Sequence, residues 1–360
     1  MGQMRGRTWA RCVMGLEWVV AAEAMLQGAQ DVHCAHRDVV FSSPPGGVDL
    51  RGADDVFEVW GTLSGLDHTR ATLARFASPG RALGRPPLRA PQGAAGLRVS
   101  VSSLGRRNYN RYEVEEALGA VLARRLGLRL LDSRQPPPPS AMWCRVHLSG
   151  SQAIVGLRRG EQPLHRRPWR TDADSGALHP PVAACMALLA QITPGQQVLD
   201  PFAGSGTLLV EAAGRQPAAD FRGCELRRER TAAARAHAQQ ARVSIGVSTG
   251  DAARLPAGVA DVILSNPPWG RAVSLGGEAP GRPLHEVLLA PLRRGGRAVV
   301  LADQALTLPA RIAPAQLRLS TVLRVSGRLA DLLVIGGSGA FEPGPVGTHL
   351  AKAWRRHGGG

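Results

Sequence analysis

The sequence predicts an α/β protein whose second half is a mostly parallel seven-stranded sheet closed by a C-terminal antiparallel hairpin. Apolar strand patterns alternate with helical patterns from residue 180 to residue 302. Two later strand patterns, 317–327 and 329–337, are separated by Arg328 alone, so they are expected to pair antiparallel. A stretch rich in Pro and Gly over 78–96 divides the first half into two smaller α+β modules.

The first module covers residues 1–77 and contains a helix opened by Gly15-Leu16-Glu17. Its predicted elements are strand 8–14, helix 17–26, strand 32–41, strand 54–62 and helix 63–76. The second module covers residues 78–158, and the acidic residues in the first turn of its helix are favoured there by the helix dipole. Its predicted elements are strand 97–104, helix 113–126 and a hairpin of strands 141–148 and 152–157.

A polar and basic linker, 159–176, leads into the third part of the chain, residues 177–338. The predicted elements there are helix 180–191, strand 198–200, helix 208–213, strand 221–226, helix 227–242, strand 243–250, strand 259–265, helix 284–293 and strand 297–302, followed by the hairpin. Residues 339–360 are expected to form a flexible tail.

Composition restricts the class of protein. No apolar run approaches the ~18 residues of a membrane span, and the N-terminal arginines lead into no long apolar segment of a secretory signal. The 5 cysteines include no C-x-x-C pair and the 10 histidines show no metal-ligand spacing. We therefore expect a cytoplasmic protein with reduced cysteines, no membrane association and no metal.

The net charge of +16 is spread along the chain. Residues 1–170 carry 24 Arg against 14 Asp and Glu, and residues 171–360 carry 20 Lys and Arg against 14. Phosphate-rich partners such as nucleic acid attract such a surface, although the same charge also keeps a protein in solution.

One segment predicts a ligand. A short apolar strand ends at Asp200 and turns through Gly204-x-Gly206 into a helix, which is the βα unit of Rossmann-like nucleotide sites. The third glycine of a dinucleotide loop is absent, and a carboxylate beside the helix N-terminus repels phosphate. S-adenosylmethionine (SAM), which carries an ammonium and a sulfonium, suits such a site. The predicted cofactor residues here are Asp200, Pro201, Phe202, Ala203, Gly204, Ser205, Gly206 and Thr207.

Further candidate cofactor residues follow the next two strands. Glu225 ends one strand, where an acid accepts both hydroxyls of a ribose. Asp251, with Ala252 beside it, ends the next and can accept a hydrogen bond from an adenine amine. Each acid also fits a purely structural role, as a solvated carboxylate or a turn aspartate.

The motif Ser265-Asn266-Pro267-Pro268-Trp269-Gly270 ends the fourth strand, and its prolines cannot continue a sheet. The Asn266 side-chain oxygen and the Pro267 carbonyl can accept both hydrogens of a planar amine and orient its nitrogen toward a methyl donor. Trp269 offers a face for an unstacked base. The predicted catalytic residues are Asn266, Pro267, Pro268 and Trp269, with Asn266 also contacting the cofactor.

These motifs resemble those of a known family. Asp200–Ala213 and Asn266–Gly270 look like motifs I and IV of amino-methyltransferases. With Gly15-Leu16-Glu17, the 164–170 segment and Ala177-Leu178-His179-Pro180, the chain resembles THUMP-domain RNA guanine-N2 methyltransferases. The resemblance implies a SAM-dependent Rossmann-like domain that forms N2-methylguanosine in tRNA. It also implies a ferredoxin-like domain over 1–77 and a THUMP-like domain over 78–158 that grips the tRNA acceptor end.

Arginines and aromatic residues ahead of the third part are candidates for RNA contact, against the alternative of a basic solvated surface. They are Arg106, Arg107, Tyr109, Arg111, His165, Arg166, Arg167, Trp169 and Arg170.

Two other functions remain open from the sequence. The same chemistry can act on guanine in ribosomal RNA or on adenine in nucleic acid. A non-catalytic RNA-binding protein with a vestigial SAM fold is the third possibility, although Asp200, both glycines, Asn266 and Pro267 are all retained.

Overall fold

The computed structural model describes residues 6–171, 177–268, 283–303, 317–325, 328–337 and 339–358, and these residues build two seven-stranded sheets. The elements of the first sheet and its helices are β1 (Thr8–Arg11), α1 (Glu17–Leu26), β2 (Gln30–Ala35), β3 (Asp38–Ser42), β4 (Asp55–Ser64), α2 (Leu73–Ala77), β5 (Gly96–Ser103), α3 (Arg111–Leu126), β6 (Ala141–Ser149) and β7 (Gln152–Arg158).

Both N-terminal modules contribute strands to this one sheet, in the order β2-β3-β1-β4-β7-β6-β5. Strands β5 and β6 are parallel and all other neighbours are antiparallel. The pairing of β4 with β7 joins the modules, and Trp60 of β4 and Phe76 of α2 lie in the same apolar cluster as the side chains of β5, α3, β6 and β7.

Two predicted elements of the first module are wrong in outline. The single strand predicted over 32–41 is a hairpin, because Arg37 turns the chain with a left-handed φ of 61°. Its N–H donates to the Glu17 carboxylate at 2.7 Å, which stabilises a turn that contains no glycine. The helix predicted over 63–76 is reduced to α2 and a preceding 3₁₀ turn, since β4 continues to Ser64 and pairs there with Gln152.

The second sheet confirms the predicted parallel arrangement with its antiparallel hairpin. Its elements are α4 (Pro180–Ala190), β8 (Gln197–Asp200), α5 (Thr207–Arg215), β9 (Asp220–Glu225), α6 (Arg228–Ala241), β10 (Gly246–Thr249), β11 (Ala260–Ser265), α7 (Leu284–Leu289), β12 (Leu292–Asp303), β13 (Leu317–Val325), β14 (Arg328–Gly336) and α8 (Pro345–Ala353). The strand order is β10-β9-β8-β11-β12-β14-β13, and only β14 runs antiparallel to its neighbours. Helix α7 is shorter than predicted because Pro291 separates it from β12.

Helix α1 connects the two halves through a shared core. Its Trp18 is 2% exposed and lies in one apolar cluster with α4, α5 and the faces of β8, β11 and β12. The backbone of Gly15 approaches the β13 strand so closely that a Cβ there would lie 2.4 Å from the Val322 carbonyl oxygen. The Gly15-Leu16-Glu17 segment thus begins α1 and places it against the second half of the chain.

The C-terminal segment differs from the flexible tail that the sequence predicts over 339–360. Residues Pro345–Ala353 form α8, whose Leu350 and Ala353 are fully buried against α1. The rings of Trp18 and Trp354 meet edge to face with centroids 4.9 Å apart. This burial orders the segment and closes one side of the shared core.

No helix within the described ranges is long and apolar enough to cross a membrane.

The packing of α8 can be tested by truncating its buried leucine. We expect Leu350→Ala to lower the free energy of unfolding by about 2–5 kcal/mol, because it leaves a cavity between α8 and α1. Thr348→Ala, at an exposed position on the same helix, should leave it nearly unchanged. Urea unfolding measures both, and equal stabilities of the two variants would contradict the buried packing.

Candidate active site

Four neighbouring parallel strands end together at one edge of the second sheet. Because β10, β9, β8 and β11 are adjacent, their carboxyl ends bring together Asp251, Glu225, Asp200 and Asn266. In open α/β sheets this edge, at the point where the strand order reverses, is where ligands bind. The order reverses here between β8 and β11.

The glycine loop has the geometry that the sequence predicts. Gly204 and Gly206 have φ values of +55° and +77°, a region that side chains disfavour. A Cβ on Gly206 would lie 2.9 Å from the Ala234 Cβ of α6, so this glycine also permits close packing. A Cβ on Gly204 would meet nothing within 4 Å, so that side of the loop is open. Around them Pro201, Ala203, Ser205 and Thr207 are buried, and Phe202 is half-buried.

The loop is arranged for amines and hydroxyls rather than phosphate. The Gly204 N–H, which would face a phosphate in a nucleotide-binding loop, donates to Glu225 Oε2 at 2.9 Å. The other oxygen of this carboxylate, Oε1, accepts from the Arg227 N–H at 2.9 Å. Carboxylate oxygens have two lone pairs each, so Glu225 keeps acceptor capacity toward the cleft.

Asp200 is buried beneath the loop. Its Oδ1 accepts hydrogen bonds from the Phe202 N–H at 3.0 Å and the Ser265 hydroxyl at 2.9 Å. Burial raises the pKa of Asp200 from 3.8 to about 7; the two hydrogen bonds oppose this shift, and the nearby Glu225 charge adds to it. The Ser265 contact ties the cofactor strand β8 to the end of β11.

Two acceptors at the strand ends, and the Thr207 hydroxyl in the loop, are buried without a hydrogen-bond partner among the described residues. One strand-end acceptor is Oδ1 of Asn266, which follows β11, and the other is Oδ2 of Asp251, which follows β10. The second oxygen of Asp251, Oδ1, accepts from the Ala253 N–H at 2.9 Å. Because an unpaired buried acceptor is costly, such atoms mark positions that a ligand completes. Pro267 is buried and Pro268 exposed, whereas Trp269 lies outside the described residues.

Three contributors to the site were missed by sequence reasoning. Ser265, directly before the Asn-Pro-Pro motif, donates a hydrogen bond from its hydroxyl to Asp200. The buried His237 of α6 donates from Nδ1 to the Ser205 carbonyl at 2.9 Å, and no sequence signal marks it. The third residue is Leu226, which directly follows Glu225 at the same sheet edge and is 52% exposed, an unusual state for a large apolar side chain.

The structure corrects several predicted RNA contacts in the linker. Trp169 is 7% exposed and packs edge to face on His237 at 5.6 Å, so its ring is not available for a base. The Arg167 side chain is only 9% exposed and donates to the Glu211 carboxylate at 2.7 Å. His165 is half-buried with its N–H on the Asp54 carbonyl at 3.0 Å, and Arg170 donates to the Leu178 carbonyl at 3.2 Å. Only Arg166 among these is exposed.

The 106–111 segment is divided in the same way. Tyr109 is buried, and its hydroxyl donates to the Asp67 carbonyl at 3.1 Å, so its prediction as an RNA contact is wrong. Arg107 is half-buried and donates to the Gly150 carbonyl at 2.7 Å. Arg106 and Arg111 are exposed, and the Arg111 guanidinium lies 4.7 Å from the centre of the Tyr112 ring.

The residues present fit SAM. Asp200, Glu225 and Asp251 offer acceptors for an ammonium, ribose hydroxyls and an amino group, and the open side of Gly204 leaves room beside the loop. Among the residues that the structure describes, no group of three or more His, Cys, Asp or Glu could hold a metal ion.

The fold and this site define a Rossmann-like methyltransferase domain. Residues 167–331 match the family model of the RMKL-like methyltransferase domain, UPF0020. The crystal structure of TrmN from Thermus thermophilus superposes with a TM-score of 0.73 over 92% of this chain and 99% of that chain, at 28% identity. The similarity therefore includes the N-terminal sheet.

Curated relatives include RNA methyltransferases. The tRNA (guanine(6)-N2)-methyltransferase of Thermus thermophilus is 35% identical over 213 residues, covering 57% of this chain and 62% of that protein. The U6 snRNA (guanine-N(2))-methyltransferase THUMPD2 of Mus musculus is 31% identical over 198 residues, covering 53% of this chain and 35% of that protein. The matched parts thus span less than two thirds of either relative.

The burial of Asp200 predicts a pH-dependent stability. Between about pH 4 and pH 7 the unfolded chain has lost a proton that the folded chain keeps on Asp200, because the folded pKa is about 7. The contribution of Asp200 to the free energy of unfolding should therefore fall, as the pH rises through this window, by at most about 1.4 kcal/mol per pH unit. Asp200→Asn keeps an acceptor oxygen and should remove this slope.

Urea unfolding of the ligand-free protein from pH 4 to pH 8 measures the effect. Asp220→Asn, which alters an exposed carboxylate of the same sheet, is the matched control and should follow the wild-type profile. Parallel profiles for wild type and Asp200→Asn would show that Asp200 ionises normally in the folded protein.

Proposed function

We propose that the protein is a SAM-dependent methyltransferase that forms N2-methylguanosine in tRNA. The observation that carries the proposal is the unpaired, buried Asn266 Oδ1 at the end of β11, linked through Ser265 to Asp200 of the cofactor loop. An acceptor for an amine thus stands beside acceptors that suit SAM. The relatives named for guanine-N2 methylation support the choice of guanine as the acceptor base.

The chemistry requires positioning rather than a general base. SAM supplies an electrophilic methyl group when it is bound. Asn266 Oδ1 and the Pro267 carbonyl accept the two hydrogens of the exocyclic amine, which draws its lone pair out of conjugation and aims the nitrogen. Asp200, Glu225 and Asp251 bind and orient the cofactor. The methylated nitrogen is acidic while cationic and releases its proton to solvent.

The first half of the chain supplies the RNA-binding surface in this proposal. A cleft of about 600 Å³ in this half is lined by more arginines than acids, together with Trp143; the charged residues are Arg11, Arg37, Arg145, Arg158, Arg166, Asp54, Asp55 and Glu161. Arg11 and Arg158 are paired with Asp38 and Asp55, whereas Arg145 donates to the Ser100 hydroxyl at 2.9 Å, and burial lowers the pKa of Arg145 to about 10. A guanidinium held there by a neutral partner suits a phosphate.

The domain assignment belongs to the same proposal. We assign the ferredoxin-like domain to 1–77, the THUMP-like domain to 78–158, the linker to 159–176 and the methyltransferase domain to 177–338. The acceptor-stem region of tRNA is the proposed contact of the THUMP-like domain, and the cytoplasm is the proposed compartment. Exposed Arg106 and Arg111 extend the basic surface beyond the cleft.

A methylation assay tests the activity. Purified protein with methyl-labelled SAM and unmodified tRNA should transfer label, and digestion of the product should give N2-methylguanosine. Label in methyladenosine, or the absence of transfer to any RNA, would contradict the proposal. Ribosomal RNA and U6-type small RNA run in parallel identify the substrate RNA, because the relatives share guanine-N2 chemistry on different RNAs.

Removal of the amine acceptor separates catalysis from cofactor binding. We expect Asn266→Ala to lower kcat for RNA methylation by about 100-fold, because the nitrogen is no longer aimed. The SAM affinity measured by calorimetry should fall much less, because Asn266 is only one of several cofactor contacts and Asp200, Glu225 and Asp251 remain. Gln240→Ala, which removes an exposed amide on α6, is the matched control. An Asn266→Ala enzyme as active as the control would contradict the role of Asn266 and show that another group positions the amine.

A further inference from the structure

An ion-pair cluster around a buried glutamate connects the first half of the chain to the cofactor-binding helix. Glu211 of α5 is 0% exposed. Its Oε2 accepts from Arg51 Nε at 2.9 Å, and its Oε1 accepts from Arg167 Nε at 2.7 Å. Arg167 also donates to the Arg51 carbonyl at 2.6 Å. We name Arg51, Arg167 and Glu211 the Glu211 joint.

Each member of the Glu211 joint comes from a different part of the chain. Arg51 lies in the loop between β3 and β4, Arg167 in the linker, and Glu211 one turn after Thr207, where α5 begins. The Arg51 guanidinium lies over Gly214, where a Cβ would be 2.8 Å from its Nη1. The joint therefore grips the helix whose N-terminus follows the glycine loop.

The loop that carries Arg51 makes further contacts with α1 and with the second half. The Gly52 N–H donates to Glu23 Oε2 at 2.8 Å, and a Cβ on Gly52 would lie 2.7 Å from Cys185 Sγ of α4. Asp54 Oδ1 is 2.6 Å from Nε2 of His179, the residue before α4. Glu23 pairs in turn with Arg215 at the end of α5. Loop 51–54 thus contacts both helices that flank β8.

The linker also contacts the glycine loop indirectly, through His237 of α6. Two residues beyond Arg167, Trp169 packs on His237, and His237 holds the Ser205 carbonyl. A movement of the linker would therefore displace both Ser205 and Glu211.

Filling this buried space with a carboxylate costs free energy. Burial of an ion costs several kcal/mol, and an apolar contact of similar volume is often as stable or more so. Paired guanidinium–carboxylate contacts instead restrict direction and distance. Glu211 contributes nothing to the cofactor acceptors described above, so its cost is best explained by a geometric task.

We propose that the Glu211 joint sets the position of the N-terminal sheet relative to the cofactor loop, and that Glu211 is a positioning residue for RNA methylation. The second clause rests on the proposed function. An RNA held by the first sheet must deliver one base to Asn266, so a small rotation between the halves misplaces the amine while SAM still binds.

A distance measurement tests the joint without reference to activity. Spin labels on Ser103→Cys of β5 and Gln240→Cys of α6, both exposed, span the two halves in a Cys34→Ala background. We expect Glu211→Gln to broaden or shift the distance distribution. Arg222→Gln, which breaks an exposed ion pair confined to the second sheet, is the matched control and should leave the distribution unchanged.

Kinetics supply the second readout. We expect kcat for RNA methylation to fall roughly 10- to 100-fold in Glu211→Gln, with KM for RNA and the Kd for SAM within about twofold of wild type. Arg51→Lys keeps the charge but loses the planar fork, so it repeats the test if Glu211→Gln does not fold. Equal losses of kcat and SAM affinity would mark a merely structural role and overturn the assignment.

The two proposals fail in different ways. A wild-type protein that methylates no RNA defeats the proposed function, while the distance distributions still decide whether the joint holds the halves. Distributions of Glu211→Gln and Arg51→Lys that match wild type, with kcat also unchanged, overturn the joint.

Discussion

Asp200 lies at the end of a central strand, where water cannot solvate its charge. The hydrogen bonds that its carboxyl group accepts determine where the other residues of the site lie. Its donors come from the loop that follows, through Phe202, and from the neighbouring strand, through Ser265. The second bond fixes the end of β11 against the end of β8, so Asn266 leaves the sheet beside the glycine loop. A single buried acceptor thereby aligns the glycine loop with Asn266. An exposed carboxylate could not do this, since water would satisfy it in many orientations.

The same principle operates between the two halves of the chain. Glu211, Glu23 and Asp54 are carboxylates that contact the opposite half, and their partners include residues of the motifs around 164–170 and 177–180. Arginine and tryptophan in a basic linker suggest RNA contact by composition. Here Arg167 instead pairs with Glu211 of α5, and Trp169 packs on His237 of α6. Of the predicted RNA contacts, Arg106, Arg111 and Arg166 remain exposed, and with the cleft around Arg145 they form the surface that we propose for a phosphate backbone.

The parallel sheet and its hairpin were predictable because their signal is local. Apolar runs of strand length ending in Asp, Glu or Asn-Pro, with helical patterns between them, specify both the element type and the edge at which side chains collect. The errors fell where a distant contact decides the local structure. Arg37 turns because Glu17 accepts its N–H, β4 continues to Ser64 because β7 pairs with it, and α8 is helical because α1 presents Trp18 and its neighbours.

The residues of the candidate site could therefore be predicted from the sequence alone: the acid–glycine loop, the strand-end carboxylates and the Asn-Pro-Pro motif are short segments whose interpretation depends on residue type and order. Tertiary structure decided which charged and aromatic residues are available to a partner. Whether an arginine faces solvent or a buried carboxylate depends on side chains far away in sequence, as with Arg167 and Glu211, which are 44 positions apart, and Arg51 and Glu211, which are 160 apart. Periodicity carries no information about such pairs, because they form only when two separately folded faces meet.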